Sequence, residues 1–542
     1  MSNSLNQDLN AIELLIQKGR FSGALNDIVN LKSSVKKKSQ EFYQLSIWEN
    51  YLGIKLGNYS KAIIKLDNLI ESIKKSNYQK LILDAYLVKI SILSEIGQYD
   101  EMISVINLGE SLITKLDESI QKKLLNANYT FKKGRYFYFK GVDKTAKTLY
   151  EESLAVCDEL SYLYLKAEVL ISLSIMKRRE GEKEVAYKLS NESLQISEEN
   201  EFHFVKGRAF SNLAHHYNLE GKLDETLTYL QKGLEVLNEV GSIYELGRIN
   251  INLGVVHYFS GNLNTSMNYY QKALEYFHEV GSSMTIATTV YNIALIYNLQ
   301  GKLREALESY KITLPLFQKF SNVSLITACY NSIGKVYFDL GLIEDAEIHL
   351  RLVYQLKNQI TEVSLSKTLF YLVQILISLK KIDEANTLVN ELEKISQEQE
   401  NDVIKHRYLF LRALVRNTDK KTSIFEIEEL LLQVISEPIT DQETTINAII
   451  NYCYLLIKKY SQEKDIEVLE RIKYYSERLS KLATKQQSKL LFAEFYWIKS
   501  KIASLENNEE VANEISNQAS KMAKEMNFKR LLNKIMEFNL QN

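Results

Sequence analysis

Proline is nearly missing from this chain: Pro315 and Pro438 are the two in 542 residues. Glycine is sparse at 20, tryptophan numbers two and cysteine three. All-β and disordered chains draw on proline and glycine for turns and open stretches, so this scarcity points to helices throughout. The cysteines, Cys157, Cys329 and Cys453, are odd in number and far apart. That excludes a disulfide framework or a cysteine-based metal spacing, and it suits a reducing, cytoplasmic compartment. A formal net charge of −1 offers no global attraction to nucleic acid or membrane. No run approaches the roughly 18 uncharged apolar residues of a membrane span. The start, MSNSLNQDLNAIELLIQKGR, lacks the basic segment and apolar run of a signal peptide.

Catalytic signatures are missing as well. The chain contains no G-x-x-x-x-G-K-[ST] or G-x-G-x-x-G phosphate cradle, no G-x-S-x-G elbow and no H-E-x-x-H zinc helix. The expectation is therefore not an enzyme, with no cofactor and no metal. His215 and His216 are adjacent, and adjacent residues on a helix point apart, so one is expected inward and one packed. Basic and aromatic residues interleave in FKKGRYFYFKG (131–141), but core packing explains the aromatics without a nucleic-acid surface. His257 falls where other copies of the pattern below carry tyrosine, and is expected to pack there. Lys36-Lys37-Lys38 reads as a solvated linker.

What the chain does have is a period. Gly141, Gly181, Gly221, Gly261, Gly301 and Gly341 return every 40 residues, mostly with a small residue five positions later. Self-similarity at this spacing means one helix-turn-helix unit copied many times. In 281–320, Ile286, Val290, Ile293, Ala294 and Tyr297 mark one helical face. Gly301 then ends the helix, and Ala306, Leu307, Tyr310 and Leu314 open and continue the next. Upstream, Gly19, Gly57 and Gly97 mark three more turns. No glycine follows Gly341, so the last third must turn on other residues. Lys380 stands in the glycine position there, and Asn417-Thr418-Asp419, Ser461-Gln462-Glu463 and Asn507-Asn508 are further polar candidates. Pro315, inside a helical pattern, predicts a kink or an early helix end, whereas Pro438 reads as an ordinary loop residue. The expected architecture is all-α: about 13 stacked helix pairs, with N-terminal pairs at 1–124, a regular core at 125–360 and diverged pairs at 361–542.

The pattern resembles the tetratricopeptide repeat (TPR). A Leu-Gly/Ala pair is followed by an aromatic, a turn glycine and a small residue, as in Leu213-Ala214, Tyr217, Gly221 and Thr226. Gly134, Gly254 and Gly334 match the small residue of the first helix; Ala146, Ala186, Ala306 and Ala346 match that of the second. The 40-residue period resembles the long-helix variety of Pins-type polarity adaptors and bacterial Rap-type regulators. The resemblance implies a right-handed superhelical solenoid with a concave groove lined by first helices. It further implies that positions 13, 10, 9, 6, 3 and 2 residues before each turn glycine face that groove.

At those positions stand Asn128, Phe131, Lys132, Arg135, Tyr138 and Phe139, then Glu168, Arg178 and Arg179, then Arg208, Asn212, His215 and Asn218. Further on come Arg248 and Asn252, then Asn292, then Asn331, Lys335 and Asp339. Asn212, Asn252 and Asn292 are one period apart, and an amide suits clamping an extended peptide backbone. Arg208 and Arg248 form a second row that favours acidic segments. Alternatively, these arginines pair with glutamates on neighbouring helices and the asparagines serve packing. The candidate groove residues are Arg135, Arg178, Arg208, Asn212, His215, Arg248, Asn252, Asn292, Asn331 and Lys335. The expected role is a scaffold or adaptor that holds a protein or peptide segment. A ligand-responsive regulator of the Rap kind is the alternative, although the repeats at Gly19 and Gly57 leave no room for a separate N-terminal bundle. Self-association through the C-terminal third, with its apolar LLFAEFYWI (490–498), is a further expectation.

Overall fold

A computed structural model describes residues 2–541, apart from 58, 77, 420, 437, 438 and 440; Pro438 thus lies outside the described residues. Its architecture follows from one repeated event. In the pair His203–Leu219 and Leu223–Val240, the first helix ends where Gly221 takes φ 73°. That left-handed turn lets the Lys222 amide reach back to the Tyr217 carbonyl at 2.9 Å, satisfying a carbonyl that the helix end would leave bare. The same backward bond recurs at Val142, Glu182, Lys302 and Leu342. Small residues then let paired helices approach. A Cβ on Gly254 would sit 2.4 Å from the Tyr270 ring, so the glycine is what makes room for that tyrosine.

Among the described residues there are 27 α-helices, making thirteen successive pairs and one further helix. The all-α helical-repeat fold expected from the period is the observed one. After Gly341 the left-handed turn persists without glycine. Lys380, Lys464, Gln487, Asn507 and Asn527 adopt φ between 49° and 61°, and the Lys381 amide still reaches back to Leu376 at 2.8 Å. The turn in the middle of the last third comes at Lys464, just past the expected Ser461-Gln462-Glu463, which close the helix Gln442–Glu463. Pro315 does not end its helix early: Leu303–Lys319 runs past it. Lys36, Lys37 and Lys38 are exposed, as a linker should be.

The chain divides into two compact units, Met1–His257 with Asn264–Thr289, and Tyr258–Leu263 with Val290–Asn542. In the first unit the N-terminal helices meet helices some 180 residues later. Phe21, Ala24, Ile28 and Leu45 share a core with Phe204 and Val240. The Lys18 carbonyl accepts the His203 amide at 3.3 Å, and the Ser282 hydroxyl donates to the Glu95 carbonyl at 2.7 Å. The first unit therefore closes on itself. In the second unit, Gly261 lies against the Lys485 carbonyl and Gly301 against Met526. There the C-terminal helix Lys529–Gln541 sits beside Val323–Asp339 through Arg530 and Asp339. The apolar stretch 490–498 packs largely inward, with Leu490, Ala493, Trp497 and Ile498 buried.

Candidate functional site: a charged chamber in the first unit

Six first helices of successive pairs send side chains to one place. Lys55 ends the helix Gln40–Lys55 and Glu95 nearly ends Gln79–Ile96. Lys132 and Arg135 stand three apart on one face of Ile120–Phe139. Glu168, Arg208 and Glu245 come from Leu163–Arg179, His203–Leu219 and Ile243–Phe259. Together they line a cavity of about 170 Å³, walled on its apolar sides by Tyr51, Leu87, Val88, Tyr164 and Phe204.

The charges inside are mostly closed into pairs. The Lys55 ammonium lies 2.5 Å from Glu95, with both side chains over nine-tenths buried. Burial opposes the charge on Lys55, yet Glu95 and Tyr51 outweigh it and hold the ammonium protonated above the usual lysine range. Glu95 also accepts from the Tyr59 hydroxyl at 2.5 Å. Arg208 meets Glu168 at 2.6 Å and Glu245 at 3.5 Å, and Arg248 meets Glu245 at 3.1 Å. Against the cost of burial, Arg208 and Lys132 keep Glu168 below its ordinary pKa, and Arg248 and Arg208 do so for Glu245. The alternative held open from the sequence, arginines paired with glutamates on neighbouring helices, describes Arg208, whereas Arg248 pairs with Glu245 on its own helix.

Lys132 and Arg135 differ. Among the described residues no carboxylate lies within ion-pair distance of either. Lys132 rests 5.8 Å from the Phe131 ring and Arg135 lies 5.6 Å from that of Phe139. Burial, with Arg135 and Lys55 nearby, pushes the Lys132 ammonium down to about 8. Lining the chamber are four cations, Lys55, Lys132, Arg135 and Arg208, against three carboxylates, Glu95, Glu168 and Glu245.

The other expected site residues are placed as follows. Arg178 donates to the Asn212 carbonyl oxygen at 2.9 Å, while the Asn212 amide donates to Ser190 at 2.9 Å and Ser174 at 3.0 Å. His216 closes this buried knot at 3.2 Å from the Ser190 hydroxyl. Burial and the charge of Arg178 lower His216 to about 4; burial, Arg178 and Arg248 lower His215 to about 3. Asn252 donates to Ser211 at 2.9 Å. The first two rungs of the asparagine ladder are thus occupied by serines of their own unit. Asn292, Asn331 and Lys335 belong to the second unit. There Asn331 is buried and Lys335 meets Asp339 at 2.9 Å. Phe131, expected in the groove, is instead fully buried in a core with Tyr150 and Val169. His257 stacks on Tyr269 at 5.4 Å, in keeping with a packing role.

Lys55, Glu95 and Glu245 escaped the sequence reading. The signal was present for two of them: Lys55 and Glu95 each stand two residues before a turn glycine, Gly57 and Gly97. That is one of the spacings already read in the regular copies.

A family model, the MalT-like TPR region, matches residues 242–534, more than half of the chain. The chain belongs to this MalT-like TPR family. No curated protein matches it. Among solved structures, the MalT-like TPR chain is similar to a Rap protein complexed with competence and sporulation factor, at 13% identity and TM-score 0.49 over 66% of this chain and 98% of that one. It is also similar to the apo form of the quorum sensor NprR from B. thuringiensis, at 14% identity and TM-score 0.45 over 72% and 97%. No helix among the described residues is long and apolar enough to cross a membrane.

Proposed function

We propose that this MalT-like TPR protein is a binding protein rather than an enzyme, and that the inner face of its first unit takes an acidic segment of a protein or peptide partner. The observation that carries this reading is the surplus of positive charge at Lys132 and Arg135, inside a chamber whose carboxylates already have partners. A buried cation without a counter-charge is costly, and a ligand that supplies one recovers that cost on binding. The asparagine ladder is a weaker support than its spacing suggested, because Asn212 and Asn252 already donate to serines. Residues 361–542 are read as further TPR-like pairs, on the strength of the left-handed turns at Lys380, Asn507 and Asn527. A cytoplasmic setting belongs to the same proposal, and three buried free cysteines agree with it.

Titration calorimetry with hexaglutamate and hexalysine tests the reading. Binding of hexaglutamate alone, weakened by added salt, is the expected result; equal binding of both, or of neither, would sink it. The regulatory alternative, in which a ligand shifts the packing of the repeats, is favoured by the chamber's small size. A cavity of about 170 Å³ takes one small group, so seating more of a segment in it calls for the surrounding helices to move. A ligand-dependent change in scattering radius would favour that version, and an unchanged radius the static one.

A further inference from the structure

We infer that the chamber is a site for one compact anionic group, a carboxylate or a phosphate, gripped between Lys132 and Arg135 while the rest of the ligand stays outside. This rests on the binding reading above and specifies which part of the ligand enters.

Size comes first. A cavity of about 170 Å³ is of the size that takes one small molecule. A carboxylate or a phosphate fits such a space. Charge comes next. Lys55 is engaged by Glu95, and Arg208 by Glu168 and Glu245. Each carboxylate in the lining already has a cation at ion-pair distance, so Lys132 and Arg135 receive only longer-range support from Glu168 and Glu95. Geometry is third. Three residues apart on one helix, the two side chains leave the same face, and both line the cavity. An ammonium and a guanidinium together suit an oxyanion, the guanidinium giving paired N–H bonds and the ammonium a point charge.

The groups that act on Lys132 agree. Glu168 and Glu95 favour its charge, Arg135 and Lys55 oppose it, and burial tips the balance, leaving it at about 8. An added oxyanion raises that value, so binding near pH 8 takes up a proton. Asn128, one turn before Lys132, gives its amide to the Leu124 carbonyl at 2.9 Å and keeps an oxygen for a protonated ligand or a water.

The test uses the full chain. Wild type, K132Q, R135Q and the double variant are titrated by calorimetry with sodium acetate and with inorganic phosphate, at matched ionic strength against sodium chloride. Helicity by circular dichroism serves as the folding control. The expected result is binding of acetate or phosphate above chloride by wild type. Each single variant should lose about tenfold, and the double variant should retain nothing measurable. Wild type should also bind more weakly at pH 9.5 than at pH 7. Acetate without phosphate assigns the site to carboxylates, and the converse to phosphates. Anion binding unchanged in folded K132Q and R135Q, or no preference over chloride, overturns the inference. Hexaglutamate separates it from the broader reading. If that peptide binds wild type and the double variant alike, the inference falls while the acidic-segment reading stands on other residues. If it binds neither, the acidic-segment reading falls, and the inference is decided by the acetate and phosphate titrations.

Discussion

The two units of this chain bury charge in opposite ways. In the first, the inward side chains of six helices leave Lys132 and Arg135 without a carboxylate at ion-pair distance among the described residues. In the second, two acids are almost completely buried, Asp339 at 1% and Glu494 at 2% exposure. The chain answers them itself. Arg530 lies 3.3 Å from Asp339 and Lys534 lies 3.7 Å from Glu494, both cations coming from the C-terminal helix, and Lys335 and the Tyr454 hydroxyl complete the set. One repeat geometry thus serves two ends. Where the inward charges close among themselves they act as a strut, and where they do not they leave a place for something else.

The comparison can be broken most severely at its turns. Gly221 and Gly261 hold the same repeat position with positive φ, but a Cβ on Gly221 meets nothing within 4 Å, whereas one on Gly261 would lie 1.5 Å from the Lys485 carbonyl. Gly261→Ala should destabilise by about 3 kcal/mol or more, since backbone must move as well as strain. Gly221→Ala should cost only about 1 kcal/mol. Urea unfolding of the two variants decides it, and equal losses would refute the described packing at Lys485. Next in size is Arg530→Ala, which leaves Asp339 with Lys335 and Glu494 with Lys534 alone as cations and should cost about 2 kcal/mol. Against it stands Lys132→Met, which removes a half-buried surplus charge and should stabilise by about 1 kcal/mol at pH 7. Because burial depresses Lys132, its cost is full below about 8 and disappears as pH rises toward the ordinary lysine value. The gain should therefore shrink in alkali. If both substitutions destabilise alike, the contrast between the units is wrong.

The smaller acid effects separate the units by pH. His215 and His216 are held neutral, at about 3 and about 4, so stability complete above 6.5 is lost as pH falls toward those values. At pH 5 the loss should be about 2 kcal/mol for each histidine, absent in H215Q/H216Q. Asp339 titrates below its ordinary value because Lys335 and Arg530 overcome the effect of burial, so its contribution is present above about 3.8 and lost only below. Unfolding curves at pH 7, 5 and 3.5 should therefore report the first unit before the second.

The turns were the legible part of this molecule. A residue forced to positive φ every 40 positions announces itself as glycine, and Lys380 could be placed in the same slot by register alone. The inward face was legible in position and less so in chemistry. Lys132, Arg135 and Arg208, whose distance from the turn glycine fixes their direction, line the chamber. What an inward residue meets depends on another helix some 40 residues away. Arg208 finds Glu168 one repeat earlier, and Asn212 finds Ser174 and Ser190. Phe131 shows the limit of register, since a large apolar side chain turns into the core beside Tyr150 rather than stay in a polar chamber.

Closure of the first unit also bears on how the chain is made. Lys18 waits for His203, and Glu95 for Ser282, before their bonds can form. At synthesis rates of about 5–20 residues per second, the N-terminal helices spend on the order of ten seconds or more without the segment that covers Phe21 and Ile28. An open solenoid folds by adding each repeat to the last, so its early repeats need nothing that comes later. Here the first helices made are among the last to find their partners, which makes them the segment most exposed to chaperone capture and to aggregation during translation.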